Sequence, residues 1–474
     1  MARLLPPRRH ALCRNRALGH DERYGTEPLS DGVIVALQDT TPLPESQHQA
    51  TQRHRALLAS ILGTAIEWYD YALYGAAASV VIGPLFFAAA GPSGESLAAF
   101  ATFAVGFIAR PFGGVIIGHL GDRFGRRPAM LLSIILMGIA TVGIGLLPTA
   151  NSWGLWAVGL LVFFRLVQGF GAGAELTGAM TLVAEYVDPK KRGWYTSLVL
   201  ATPPLGIALA TISFFAVASL GDEALLGWAW RIPFLISAVL FLLALYIRTK
   251  LEETPEYAEA MERAEDKGSA ARLPLADVFS GHWREVSLGF FAITGHNAMN
   301  YILAVFSISL MVESGMPRPQ ALLAVTLGSL VSVVLTPVGG WLADRWGSGR
   351  TLAIGNLSGL VLAFPIFWLL AEGRFALGLL AIAAGYALVI PCTSGAQGAF
   401  LTELFPVPVR FTGIATAREL NGALVAGMSP LIAAALLELG DGSITLPAGY
   451  LALCCLSSAI AIVIGLRSSR QRYH

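Results

Sequence analysis

Charged residues are scarce in this chain. Only 13% of its 474 residues are Asp, Glu, Lys or Arg, whereas 55% are hydrophobic, and the mean hydropathy is +0.63. Soluble domains carry about 25% charged residues, so the composition excludes a soluble protein and indicates an integral membrane protein. The net charge of +1 leaves no strongly basic face, so we expect no nucleic-acid partner.

Motifs for metal, nucleotide and enzyme chemistry are also missing. The four cysteines, Cys13, Cys392, Cys454 and Cys455, have no spacing that would ligate a metal, and we expect them to be inert buried thiols. No GxxxxGK[ST] loop occurs, so ATP is not expected to drive this protein. No pair of a nucleophile and a base stands out either. We therefore predict no metal, no cofactor and no enzymatic activity.

Residues 1–52 differ from everything that follows. They are rich in Pro, Arg and His, which predicts a disordered cytoplasmic extension. Their one apolar run, Val33 to Leu37, is too short for the core of a signal peptide. The alternative is that translation starts further in, near Val33 or Val35, and the mass of the mature N-terminus would distinguish the two.

Hydrophobic runs long enough to cross a bilayer recur along the rest of the chain. One spanning helix needs about twenty predominantly apolar residues. About twelve such runs can be separated, at 57–82, 97–120, 129–148, 153–186, 194–219, 228–248, 284–312, 319–343, 350–371, 375–400, 410–437 and 445–466. An even number places both termini on one side, and Lys and Arg concentrate in the loops of that side. Both termini are therefore predicted to be cytoplasmic.

The chain also repeats itself. GHLGDRFGRRP after the second run is echoed by GGWLADRWGSGR after the eighth, and AEYVDPKKRGWYTS is echoed by TELFPVPVRFTGIAT. The predicted fold class is an all-α integral membrane protein with twelve transmembrane helices in two six-helix pseudo-repeats. The halves, 53–250 and 284–466, flank a cytoplasmic central loop at 251–283, and a cytoplasmic tail follows at 467–474. Two homologous halves that rock about a midplane site are typical of secondary transporters.

These motifs resemble the major facilitator superfamily. GHLGDRFGRR, residues 118–127, resembles its loop motif, and RLVQG, residues 165–169, resembles its fourth-helix motif. GTAIEWYDYALYG, RPFGG, WRIPFLIS, LEETPEY and ELFPVPVRFTG resemble the metabolite:proton symporter branch. The resemblance implies a secondary transporter of the cytoplasmic (inner) membrane that imports a small organic solute with a proton by alternating access.

Two departures from that branch fall where substrate contacts are expected. The branch usually has Gly-Gly-Glu-Trp-Gly in the fourth helix, where this chain has Gly173, Ala174, Glu175 and Leu176. It usually carries a Tyr-Asn pair in the eleventh helix, where Arg418 and Glu419 stand here. Because members of the branch carry dicarboxylates, shikimate-like acids, citrate, proline or betaine, the identity of the solute stays open.

Ionisable residues fall inside several predicted spans at similar depth. Charges there are costly, so they face an internal cavity and pair with one another. Glu67 and Asp70 share one face of the first helix, and a carboxylate beside another carboxylate in a poorly solvated site holds a proton readily. We predict that one of them carries the proton, and that Arg165 switches between them. The proton-coupling residues are Glu67, Asp70, Arg165 and Glu175. The alternative is a static ion-pair network, although apolar residues would pack the helices at lower cost.

Arginine stays charged and can receive a carboxylate bidentately, which makes Arg110 or Arg418 the predicted clamp for an anionic solute. The predicted substrate-binding residues are Tyr71, Tyr74, Arg110, Gln168, His296, Asn297, Asn300, Arg418 and Glu419. The runner-up is a proline or betaine carrier, in which the aromatic cluster and the acids would hold a quaternary ammonium group. A nutrient receptor on a transporter scaffold is the rival from another class.

Charged residues at the cytoplasmic ends of helices predict a gate. Ion pairs and contacts to helix termini there can hold the two halves together in an outward-open state. The predicted gating residues are Gly118, Gly121, Asp122, Arg123, Arg126, Arg127, Glu185, Arg192, Asp344, Arg345, Glu403 and Arg410. For Arg126 and Arg127 the alternative is a role in topology alone. The expected partners are a small-molecule substrate, protons and the lipid bilayer, and the transporter is expected to work as a monomer.

Overall fold

The computed structural model describes residues 64–124, 126–173, 180, 183–184, 187–250, 281–406 and 409–472. The predictions for the N-terminal extension, for nearly all of the central loop, for Glu175 and for Glu185 therefore lie outside the described residues. The same holds for the side chains of Asp122, Arg123, Arg126 and Arg127.

Twelve long helical segments make up most of the described chain, as predicted. In the first half they are α1 (64–86), α2 (Gly91–Phe124), α3 (Arg126–Leu146), α4 (Leu155–Gly171), α5 (Pro189–Ala218) and α6 (Arg231–Lys250). In the second half they are α7 (Trp283–Glu313), α8 (Arg318–Trp346), α9 (Ser348–Ala371), α10 (Phe375–Leu404), α11 (Arg410–Leu439) and α12 (Thr445–Arg472).

Length and composition make these helices suited to a bilayer. Eight of them, within the described residues, are long and apolar enough to cross a membrane on their own. α6 becomes a ninth when the helix Asp222–Ala229, bent from it by 48°, is counted with it. Many large apolar side chains on the outside of the bundle are exposed, among them Phe112, Val334 and Val361. A soluble protein rarely exposes so many, so this surface suits lipid.

The repeat is visible in the backbone as well as in the sequence. α1 contains a π-helical turn at Ala78–Ile82, and α7, its counterpart in the second half, contains one at Ile302–Phe306. The two turns contact each other, so the halves meet at α1 and α7. π turns are frequently found at functional sites, and their matching positions show that the repeat extends to this irregularity of the backbone.

Glycine allows the helices of the first half to approach closely around one buried arginine. A Cβ atom on Gly106 of α2 would overlap the guanidinium of Arg165 in α4, and a Cβ atom on Gly169 would overlap the backbone of Gly106. α2 and α4 therefore cross almost backbone to backbone, and the Arg165 side chain lies in the space that this crossing leaves.

The two ends of the bundle differ in the loops that they hold. The motif end holds the α2–α3 and α8–α9 connections, where the two copies of the repeated loop motif lie at residues 118–127 and 339–350. The opposite end holds the α1–α2 and α7–α8 connections, at residues 87–90 and 314–317.

Candidate functional site

Asp70 lies deep in the first half of the bundle. Its residue is only 4% exposed, and its Oδ1 atom has no hydrogen-bond partner among the described residues. Ser237 of α6 lies beside it, and Glu67, one turn earlier on α1, is the other charged group that acts on it. The predicted proximity of the two carboxylates is therefore present, with Asp70 almost fully buried and Glu67 partly buried.

Arg165 is fully buried, but it does not face the acids in this conformation. Its Nη2 donates to the carbonyl of Phe103 at 2.8 Å, its Nε donates to the carbonyl of Thr102 at 3.3 Å, and its Nη1 donates to Gln168 Oε1. Its Cζ atom lies 3.9 Å from the centre of the Tyr74 ring. No carboxylate of the described residues lies within ion-pair distance, so a switch between the acids would require Arg165 to leave these partners.

Gln168 joins this arginine to α1. Its Nε2 donates to the backbone carbonyl of Asp70 at 3.2 Å and to Thr141 Oγ1 at 2.8 Å, while its Oε1 accepts from Arg165. The predicted residues Tyr74, Arg165 and Gln168 thus form one buried network that fixes α1 against α2, α3 and α4.

Arg110 connects the two halves of the molecule. Its Nε lies 3.1 Å from Glu419 Oε2 of α11, and the two side chains are 9% and 14% exposed. The guanidinium also lies over the rings of Tyr71 and Phe107, at 5.1 Å and 5.6 Å from their centres. On α11, Arg418 Nη1 donates to Gln397 Oε1 at 3.2 Å. The departure at 418–419 therefore places an ion pair across the interface between the halves.

Neutral polar groups form the corresponding network of the second half. His296 Nδ1 and Thr393 Oγ1 are 2.9 Å apart, and Asn297 Nδ2 donates to Asn421 Oδ1 at 2.6 Å. Asn421 Nδ2 in turn donates to the Phe290 carbonyl at 2.8 Å. Asn300, also on α7, is 4% exposed. These side chains tie α7 to α10 and α11 without any formal charge.

A small cavity lies between the two halves, with residues of α1, α2, α5 and α7 in its wall. Its volume is about 10 Å³, and it is lined in part by Trp68, Tyr71, Phe103, Thr211 and Tyr301. Such a space holds about one water molecule, so the described residues are closed around the site. A larger cavity of about 380 Å³ lies towards the opposite end, with Ser79, Glu95, Glu313, Arg318 and Glu438 in its wall.

A helix cap closes the motif end. Asp344, at the end of α8, accepts hydrogen bonds from the backbone N–H groups of Gly193 at 2.6 Å and Trp194 at 2.9 Å. Those groups belong to the first α-helical turn of α5, where N–H donors lack partners within the helix. A carboxylate of the second half thus caps a helix of the first half. The backbones of α5 and α8 can approach this closely because Gly193 and Gly340, which face each other, have no side chains.

The other predicted gating residues make local contacts. Glu403 accepts from Ser348 Oγ at 2.6 Å, Arg192 donates to the Ala184 carbonyl at 3.0 Å, and Arg345 stacks over Trp341 at 4.8 Å. Arg410 Nε is buried without a hydrogen-bond partner in the described part of the chain, and Gly118 is exposed. Among the described gating residues, Asp344 joins the halves by hydrogen bonds, and Glu403 of the second half interacts electrostatically with Arg192 of the first.

Hydroxyl groups close the opposite end. Ser79 Oγ in the π turn of α1 donates to the Val305 carbonyl in the π turn of α7 at 2.8 Å, and Ser309 Oγ donates back to the Ser79 carbonyl at 3.2 Å. A π turn frees carbonyl groups from the regular ladder of an α-helix, which explains why Val305 can accept from another helix.

Comparison with known proteins decides the family. The model of the Major Facilitator Superfamily matches residues 59–430. The chain belongs to the major facilitator superfamily. It is 35% identical to the inner membrane metabolite transport protein YhjE of Escherichia coli K12, over 90% of this chain and 96% of that one. It is 35% identical to the shikimate transporter of the same strain, over 89% and 96% of the two chains.

Further relatives and solved structures agree. The proline/betaine transporter of Escherichia coli K12 is 32% identical over 88% of this chain and 83% of its own. Among solved structures, the xylose transporter XylE of Escherichia coli superposes with a TM-score of 0.68 at 18% identity, over 88% and 98% of the two chains. That likeness shows a shared fold. The predicted family, the twelve-helix fold and the expectation of a transporter rather than an enzyme are confirmed, and this transporter is a multi-pass inner-membrane protein.

Several residues around the site were not predicted from the sequence. Ser237 lies beside Asp70, Tyr301 lines the central cavity, and Gln397 and Thr393 hold Arg418 and His296. Ser237 and Gln397 are polar residues inside the apolar stretches WRIPFLIS and GAQGA. Their position in predicted membrane spans could have marked them as candidate site residues. Their partners could not be read from the sequence, because each contact joins helices that are far apart along the chain.

Proposed function

We propose that this transporter imports a small solute bearing a carboxylate together with a proton, by alternating access between its two halves. The observation that carries the proposal is the set of buried ionisable groups inside the membrane-spanning helices, namely Asp70, Arg110, Arg165 and Glu419. Such groups are rare inside membrane helices and mark transport pathways and proton relays. The motif end is taken to face the cytoplasm with both termini, and the monomer is taken as the working unit.

Arg110 supports the carboxylate part of the proposal. Its guanidinium is already held next to one carboxylate, that of Glu419, and is oriented by the Tyr71 ring beneath it. Shikimate, proline and betaine, after which relatives of this chain are named, all carry a carboxylate group. An arginine in a poorly solvated site recognises that group by paired, charge-assisted hydrogen bonds.

Asp70 supports the proton part. An ionised carboxylate is costly where one of its oxygens has no partner and water is excluded. Asp70 is almost fully buried and one of its oxygens has no partner among the described residues, whereas Arg110 keeps a counter-charge in Glu419. A carboxyl group that gains a proton at one stage of the cycle and releases it at another would relieve this cost.

A zwitterionic osmolyte is the second candidate, and one observation favours it. The larger cavity at the opposite end contains three carboxylates, Glu95, Glu313 and Glu438, with Arg318 as the cation in its wall. A net negative entrance repels a dianion and tolerates a solute that also carries a positive charge. Trp68 and Tyr71 next to the central cavity could then face a quaternary ammonium group.

Proton uptake into proteoliposomes tests the proposal. The purified transporter is reconstituted with a pH-sensitive dye inside, and shikimate, citrate, a dicarboxylate, proline and betaine are added in turn. Acidification by one of them supports proton-coupled symport and selects the class of solute. Counterflow of the same solutes separates a carrier from a receptor, because a receptor binds without exchange. Binding without any flux would refute the proposal.

A further inference from the structure

The cross-half pair between Arg110 and Glu419 has a consequence for how solute binding opens the protein. We propose that Glu419 occupies the place at Arg110 that a solute carboxylate takes during transport. Binding of the anion and release of α11 from α2 are then one event. This inference rests on the proposed function and deepens it, because it names the residue that competes with the solute.

The surroundings of the pair fix Arg110 as the stationary partner. Arg110 lies over both the Tyr71 and Phe107 rings, and those two rings are in edge contact with centres 4.7 Å apart. Its side chain is therefore held against aromatic residues of its own half, although Tyr301 of α7 and Gly427 of α11 also pack against the Phe107 ring. Glu419 belongs to α11, so it moves away from Arg110 whenever the halves separate at this level.

Separation of the halves without a solute would leave two charges in a poorly solvated place. Removing one partner of a buried ion pair is strongly unfavourable, because the other charge loses its compensation. A solute carboxylate that replaces Glu419 compensates the charge of Arg110, so that only the charge of Glu419 still needs a partner. Arg418, the next residue on α11, is a cation that moves with Glu419, and the charge of Glu419 already acts on it in the closed conformation.

The pair therefore links opening to the charge of the solute. A solute with a carboxylate can displace Glu419, and its neutral ester cannot, even if it has nearly the same shape. Two carboxylates near one guanidinium also repel each other, so Glu419 lowers the affinity for the solute while the halves are closed. Loss of Glu419 should raise that affinity and allow the protein to open without a solute.

Binding to the full-length transporter in nanodiscs tests this inference. The probes are shikimate with its methyl ester as the neutral match, and proline and betaine. For each probe with a carboxylate that the wild type binds, Glu419→Gln should lower the dissociation constant by about 10-fold, a usual size for coupling between two ligands of one site. Glu419→Asp keeps the charge and should stay within about 2-fold of the wild type. Glu285→Gln changes another buried glutamate and should leave the constant unchanged.

Thermal unfolding of the same samples separates competition from packing. If the ion pair only holds helices together, Glu419→Gln lowers the unfolding temperature and leaves the dissociation constant unchanged or higher, which overturns the inference while the proposed function stands. If the wild type binds none of the carboxylate probes, the proposed function fails and this inference fails with it. The inference would also be overturned if Glu419→Gln tightened binding of the methyl ester by the same factor as it tightened binding of shikimate.

Discussion

The two halves of this transporter share a backbone plan but differ in the polar groups that they bring to the centre. Both have a π turn in their first helix, at Ala78–Ile82 and Ile302–Phe306. The first half holds Asp70, Arg110 and Arg165, whereas α7 of the second half holds His296, Asn297 and Asn300. Proton coupling requires a group that can change its charge, whereas neutral hydrogen-bonding groups can orient a solute. We therefore expect proton coupling to depend on the first half and orientation of the solute to depend on the second.

α11 departs from this division, and the departure is informative. Arg418 and Glu419 bring charge into the second half, and Glu419 uses it to reach Arg110 in the first. The pair stands at the position where we expected substrate contacts from the resemblance. The Arg110–Glu419 pair thus joins the charged centre of the first half to the second half, in addition to the Arg318–Asp222 pair between the halves.

The largest effect is expected from removal of the Asp70 carboxyl group. Asp70→Asn keeps the shape and removes the ability to gain and lose a proton. Because no other described acid is as deeply buried in this layer, solute-driven acidification of proteoliposomes should be abolished. Exchange of labelled solute across the membrane without a gradient should persist, since binding and movement of the halves do not require net proton transfer.

Asn300→Ala is the matched change in the second half. Asn300 is as buried as Asp70 but cannot carry a proton, so this variant should still acidify the vesicle interior. Retained coupling in Asp70→Asn, or lost coupling in Asn300→Ala with exchange intact, would break the division of roles between the halves.

Arg165 should have the largest effect on stability. Arg165→Met keeps the length of the side chain and removes the donors to Thr102, Phe103 and Gln168. Buried acceptors left without a charged donor cost about 1–3 kcal/mol each, so the free energy of unfolding should fall by about 3 kcal/mol or more. The unfolding temperature in detergent measures the loss.

His296→Gln provides the comparison for Arg165. It alters one neutral contact, to Thr393, and should lower the free energy of unfolding by about 1 kcal/mol. An equal or greater loss for His296→Gln would mean that the neutral network of the second half, rather than the charged network of the first, stabilises the fold.

A smaller effect is expected at the motif end, where Asp344 of the second half caps α5 of the first. Asp344→Asn removes the charge and one of the two acceptor oxygens that face Gly193 and Trp194. A helix cap contributes about 1 kcal/mol, which corresponds to about a 5-fold shift in the balance between closed and open motif ends. A cysteine at buried Ser197, in a background without the native cysteines, should react about 5-fold faster with a polar maleimide.

Much of this organisation could be predicted from the sequence, for identifiable physical reasons. Helix positions follow from local hydropathy, so the predicted runs match the observed helices to within several residues where they are described. The residues of the polar layer follow from the rarity of charge inside apolar runs. Which residues pair does not follow. Arg165 was predicted to face the acids, but its hydrogen bonds in this conformation go to carbonyls of α2, because the α2–α4 crossing at Gly106 leaves its space there.

The smallest effect, and the sharpest test of the second half, is expected from Asn297→Ala. This change removes the hydrogen bond to Asn421, while Asn421 keeps its bond to the Phe290 carbonyl. One neutral hydrogen bond contributes about 1 kcal/mol, so the KM for the transported solute should rise about 5-fold if Asn297 helps to orient it. The ratio of protons to solute should not change, because no ionisable group is touched. A changed ratio with an unchanged KM would assign coupling, rather than orientation, to this half.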